Sequence, residues 1–194
     1  MLLITFEGLS SRTTNQLFVR LKRRLHNSVD VSPIDPVTQT CPFVKIQRLL
    51  TALSAAPEGC EAVLSPISFY SFAPNRAIYV EYVNAMQAVM RTNVDFHLMF
   101  VLVSEPQELL DEYLDRGSVA TIEDIERDNA LAIETAKCPV GHPWRAGSYI
   151  IEVDRFTLDT PTLLETVATN IHNIVLKTRE RMRKRISVPA RGEA

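Results

Sequence analysis

Glycine is scarce in this chain of 194 residues: there are six, about 3% where ~7% is usual. They are Gly8, Gly59, Gly117, Gly141, Gly147 and Gly192. No two are spaced for G-x-G-x-x-G or for G-x-x-x-x-G-K-[ST], so an intact glycine-rich phosphate loop is excluded. Cysteine is also sparse. Cys41, Cys60 and Cys138 are odd in number, widely spaced and without a C-x-x-C pair. That excludes a disulfide framework and suits a reducing compartment. Cys138 and His142 lie in a Pro- and Gly-bearing loop with no second ligand pair, so no zinc site is expected. Long apolar runs are missing too; the longest clean one, Leu98–Val103, is far short of the ~20 residues of a membrane span. The start, Met1-Leu2-Leu3-Ile4-Thr5-Phe6, has no basic lead-in of a signal and no room for a transit peptide. Cytosol or nucleus is the expected location. Neither charge sign dominates, with 21 basic and 23 acidic side chains and a net charge of −2. A globally basic nucleic-acid binder is excluded, and a hydrophobic share of 46% excludes disorder.

What is present is an alternation. Strand-like apolar runs occur at Leu2–Phe6, Ser28–Ser32, Glu61–Ser65, His97–Val103 and Ser148–Asp154. Several are continuous rather than alternating, as in strands covered on both faces. Helical spacing fills the intervals, over Thr13–Leu25, Phe43–Leu53, Asn75–Met90, Pro106–Gly117 and Ile122–Ala136. A last helix opens with Thr160 as N-cap and Pro161 at the first helical position. Strands alternating with helices predict a three-layer α/β/α domain with a five-stranded, mainly parallel sheet. One domain over residues 1–186 and a polar tail over 187–194 are expected.

Charge is segregated. From Glu105 to Glu134 acids dominate, with only Arg116 and Arg127 against them. The first helix carries Arg20, Lys22, Arg23 and Arg24. The last carries Lys177, Arg179, Arg181, Arg183, Lys184 and Arg185 against the single Glu180. A basic helix C-terminus complements the helix dipole and solubilises the surface. The same cluster is a candidate surface for a nucleic acid or an acidic protein partner, or a nuclear signal. A homodimer is a further expectation.

In a parallel sheet the first strand-to-helix turn is the usual anion site. Here it reads Phe6-Glu7-Gly8-Leu9-Ser10-Ser11-Arg12-Thr13-Thr14-Asn15-Gln16-Leu17. This segment resembles the opening of thymidylate kinases, F-E-G-x-D-G-x-G-K-S-T-Q-L. The resemblance continues along nearly the whole chain in the right order. Glu61–Ser71 is similar to the strand that ends in D-R-Y in that family, and Asp95–Pro106 to its P-D-L-x-x-x-L-x-x-x-P-E strand. Leu110–Gly117 resembles the helix entering the lid, and Ile122–Ala136 the helix after it. Deoxynucleoside kinases share the layout, and Glu81-Tyr82 resembles them. The resemblance implies a P-loop nucleotide-kinase fold, with ATP and Mg²⁺ as cofactors if the domain is active. It places nucleotide binding at Gly8, Ser10, Ser11, Arg12, Thr13 and Thr14. The implied substrate residues are Phe43 with Gln47 or Arg48, and Phe69. A Phe at helical spacing is equally a core residue.

The departures from that family are chemical. Backbone N–H groups cradle the phosphates, a lysine neutralises them and a hydroxyl helps hold magnesium. Here the inner glycines are gone and the loop is shorter by one or two residues. Arg12-Thr13 stands for Lys-Ser/Thr, Ser10 for the loop acid, and Ser65-Pro66 for the Asp-Arg pair. A planar guanidinium does not replace a compact ammonium conservatively. The leading expectation is a degenerate kinase-like domain, serving as a nucleotide-binding or protein/nucleic-acid interaction module with weak or lost phosphoryl transfer. The alternative is a divergent active nucleoside or dTMP kinase, with Arg12 as its catalytic cation and Glu7 or another carboxylate holding Mg²⁺. An unrelated α/β protein is the third reading. His97 is expected to be a hydrogen-bonded core residue rather than a base. Asp154 and Arg155 are either a solvated pair or neighbours of a base edge.

Overall fold

The computed structural model describes residues 1–8, 11–25, 28–30, 42–65, 94–115, 119–137, 145–152 and 160–186. Five strands form one sheet: β1 Leu2–Gly8, β2 Ser28–Asp30, β3 Ala62–Ser65, β4 Phe96–Val103 and β5 Arg145–Glu152. Their order is β2-β3-β1-β4-β5 and every pairing is parallel. The helices are α1 Ser11–Arg24, α2 Pro42–Ser54, α3 Pro106–Asp115, α4 Ile122–Lys137 and α5 Pro161–Ile186. The expected three-layer α/β/α architecture is present. The helix expected over 75–90 and the tail lie outside the described residues.

Several boundaries differ from expectation; β1, expected to end at Phe6, runs on to Gly8. β5 opens at Arg145, three residues before the apolar run, because pairing with β4 recruits a stretch that lacks a hydrophobic pattern. A register shift between His97 and Leu98 absorbs the mismatch. α1 opens at Ser11, two residues earlier than its apolar spacing suggests. The opening of α5 at Pro161 is as expected, with Leu163 and Leu164 donating backbone N–H to the Thr160 carbonyl.

Strand order and handedness decide which helices share a face. β1 connects leftward to β2, whereas β2 to β3 and β4 to β5 run rightward. Right-handed crossovers therefore place α1 on the face opposite α2 and α4. The packing agrees. Leu2, Ile4 and Phe6 of β1 join Leu98, Phe100 and Leu102 of β4 in one core with Leu17, Phe18 and Leu21 of α1. Leu164, Ala168, Ile171 and Val175 of α5 complete it. Phe100 stacks on Phe6 at 5.7 Å and on Tyr149 at 5.6 Å. Leu49, Leu53, Leu109 and Ile125, from α2, α3 and α4, are buried outside that cluster.

Candidate functional site

Chains that leave β1 and β4 turn in opposite directions, so the topological switch point lies between these adjacent strands. Ligands of open α/β sheets bind outside the carboxyl ends of the strands at such a point. Here Gly8 is in register with Leu102, so the carboxyl ends of β1 and β4 lie side by side.

The β1–α1 turn is short. The strand ends at Gly8 and the helix starts at Ser11, leaving residues 9 and 10 between them. A G-x-x-x-x-G-K loop has four residues between its glycines alone, and its N–H groups point inward to enclose phosphates. The segment that follows β1 in this chain lacks that glycine pattern. What it presents is the first turn of a 14-residue helix with no acid in it. The first N–H groups of a helix have no intrahelical acceptor and carry partial positive charge, which suits an anion.

Ser11, Arg12 and Thr13 all lie in this first turn, so the candidate cation and two hydroxyl-bearing residues do share the helix start. Thr14 faces inward and is buried. Ser10 and Phe69 lie outside the described residues, as do Asp154, Arg155, Glu81 and Tyr82. Ser65 ends β3 fully buried, opposite Thr5 of β1, and puts a neutral hydroxyl where the thymidylate-kinase pattern has a carboxylate. On α2, Gln47 and Arg48 are exposed while Leu49 and Leu53 turn into the core. Phe43 belongs to the first turn of the same helix.

Two buried polar contacts fix α4 and the central strands, and only the one at Asn129 lies near the switch point and had no sequence signal. Asn129 of α4 donates from Nδ2 to the Ser104 carbonyl at 3.1 Å and ties α4 to the end of β4. Its Oδ1 is buried without a hydrogen-bond partner. Thr5 Oγ1 and His97 Nε2 meet at 2.7 Å between β1 and β4. His97 is thus the buried, hydrogen-bonded core residue expected of it.

At the opposite, amino edge of the sheet, the basic end of α5 meets Glu61. Arg179 Nη1 lies 3.0 Å from Glu61 Oε2 and Arg183 Nη2 lies 3.3 Å from Glu61 Oε1. Arg179 is mostly buried, and burial lowers its pKa against the opposing pull of Glu61. Lys184 pairs with Glu180 at 2.7 Å, whereas Lys177 and Arg181 are exposed. Of these described cations Arg179 is mostly buried, whereas Arg183 reaches Glu61 from an exposed position.

On the outer side, Glu165 of α5 accepts both Arg20 and Arg24 of α1, and Arg24 also reaches Thr169 Oγ1 at 2.8 Å. The open groove there, about 470 Å³, is lined by Arg20, Glu165 and Thr169 together with Pro161, Thr162 and Thr166. Among the described residues no group of three His, Cys, Asp or Glu side chains is placed to hold a metal ion. No helix among them is long and apolar enough to cross a membrane.

No protein-family model matches this chain, and no curated protein matches it. Solved structures do. The tunicamycin resistance protein of Deinococcus radiodurans is similar with a TM-score of 0.52 and 15% identity, over 87% of this chain and 94% of its own. Kti12 of Chaetomium thermophilum, in complex with ADP-AlF3, gives a TM-score of 0.42 and 14% identity, over 89% and 97%. The likeness to the Deinococcus protein is one of fold. The chain shares with that protein an α/β fold, the class that the sequence pattern implied.

Proposed function

We propose that this domain is a degenerate nucleotide kinase, related in layout to thymidylate and deoxynucleoside kinases, that binds a nucleotide weakly and has lost efficient phosphoryl transfer. The two-residue span between Gly8 and Ser11 carries this reading. It removes most of the N–H donors that would surround a β- or γ-phosphate, yet leaves the start of α1 and Arg12 free of acids in the first turn. One phosphate group suits that arrangement; an enclosed triphosphate does not.

Magnesium fits less well. The metal prefers carboxylates with phosphate oxygens in an octahedral shell. Ser65 offers one buried neutral hydroxyl at the position where the related kinases have an acid. Transfer without a well-held metal lacks its main means of neutralising charge in the transition state.

The test is calorimetry with ATP, with and without Mg²⁺, followed by phosphoryl transfer to dTMP and thymidine, for the wild type and Arg12→Ala. Expected are submillimolar to millimolar binding that weakens at least several-fold in the variant, indifference to Mg²⁺, and no turnover above background. Turnover on the order of 1 s⁻¹ or faster, as in working kinases, and lost in Arg12→Ala, overturns the proposal in favour of a divergent active enzyme. Absence of binding at millimolar nucleotide overturns nucleotide binding itself.

A further inference from the structure

The basic end of α5 is divided by its own geometry. At about 100° per residue, Arg179 and Arg183 share one flank of the helix, and both reach Glu61. Lys177, Arg181 and Lys184 follow the i, i+4, i+7 spacing of a different face. Buried Val175, Thr178 and Met182 lie on the core side. The outward three therefore form a cationic stripe about 10 Å long. Glu180 is the single acid of α5 beyond Glu165, and its pair with Lys184 is exposed and of little energetic weight. At 26 residues, α5 is about 39 Å long, against about 26 Å for the eight residues of β4. It carries the stripe to the amino edge, away from the switch point. Exposed Lys22 and Arg23 at the end of α1 add charge of the same sign. These cations lie where α1 and α5 both end.

We infer that this stripe is a docking surface for the phosphate backbone of a nucleic acid, bound without sequence preference and apart from the nucleotide crevice. Its composition favours a nucleic acid over a protein partner. Protein interfaces are depleted in lysine and depend on buried aromatic or apolar anchors, and the stripe offers lysine and arginine alone. Phosphate backbones are held by just these side chains, at little cost to either partner, because both stay partly hydrated.

The experiment is fluorescence anisotropy of the full chain with a labelled 20-nucleotide oligouridine, without added nucleotide. Three to four phosphate contacts predict a slope of log K against log salt of about −2 to −3, a loss of about 15- to 60-fold between 50 and 200 mM salt. Lys177→Gln/Arg181→Gln is expected to weaken binding at least fivefold and to flatten the slope by about 1. Both substitutions are on an exposed helix face, and an unchanged thermal midpoint verifies folding. Arg127→Gln, an exposed cation of α4, serves as the remote control and is expected to bind as the wild type does. Equal binding by the double variant overturns the inference, as does a slope near zero. Preferential capture of polyglutamate of matched length, lost in the same double variant, overturns it in favour of an acidic protein partner.

Discussion

The two faces of this sheet are built from the same strands and differ in kind. Toward α1 and α5 the buried side chains of β1 and β4 are wholly apolar: Leu2, Ile4, Phe6, Leu98, Phe100 and Leu102. Toward α2, α3 and α4 the alternate positions include Thr5, Ser65 and His97, with Asn129 over the end of β4. The first face gains stability from area removed from water and from close packing, which are non-directional. The second holds polar groups that must be hydrogen-bonded once buried. Its polar residues lie along β1, β3 and β4, and the switch point falls between β1 and β4.

The largest effect that separates the faces is expected at Phe100. Phe100→Ala removes a ring stacked between Phe6 and Tyr149 and leaves a cavity, at a cost of about 3–5 kcal/mol in chemical denaturation. A loss below 1 kcal/mol would mean that this face does not hold the fold. On the other face, Thr5→Val leaves His97 Nε2 without its hydroxyl and is expected to cost about 1–3 kcal/mol. Adding His97→Leu removes the stranded partner, so the double variant should be less destabilised than the sum of the two single variants. Strict additivity in that cycle would show that the pair contributes nothing by its contact.

The smallest effect is one of pH. Burial lowers the pKa of His172 on α5 from its ordinary value of 6.5, with Arg24 and Arg179 adding to the shift. The folded protein then binds this proton less readily than the unfolded chain. Stability attributable to the site is complete above the unfolded pKa and falls away as pH drops below about 6.5. His172→Asn should flatten urea midpoints between pH 7 and 5 relative to the wild type. An identical pH dependence in both would contradict the shift.

Much of the fold was legible because it rests on local pattern. The apolar runs of β1, β3 and β4 and the Thr160-Pro161 start of α5 declare themselves in a few residues each. β5 did so only in part, since Arg145, Ala146 and Gly147 enter the strand through pairing with β4 rather than through their own preference. The candidate site is legible only as departures from the kinase pattern that the sequence resembles, in its glycines, a lysine and an acid. Its actual shape depends on where strand gives way to helix, and apolar spacing placed that boundary two residues too late. Glu61 was unremarked in the sequence because its arginines lie up to 122 positions away.

Composition and periodicity by themselves determined the α/β class, the parallel sheet and the absence of an intact phosphate loop, since each follows from residue type and short-range spacing. Only the tertiary structure decided that Thr14 is buried, that His97 meets Thr5 and that Ser65 closes β3 as a buried hydroxyl. It also decided which cations of α5 meet Glu61. A helix carries its charges around its whole circumference, and which of them meet solvent is set by the neighbour it packs against. Here that neighbour brings Glu61 to one flank and leaves the other to water.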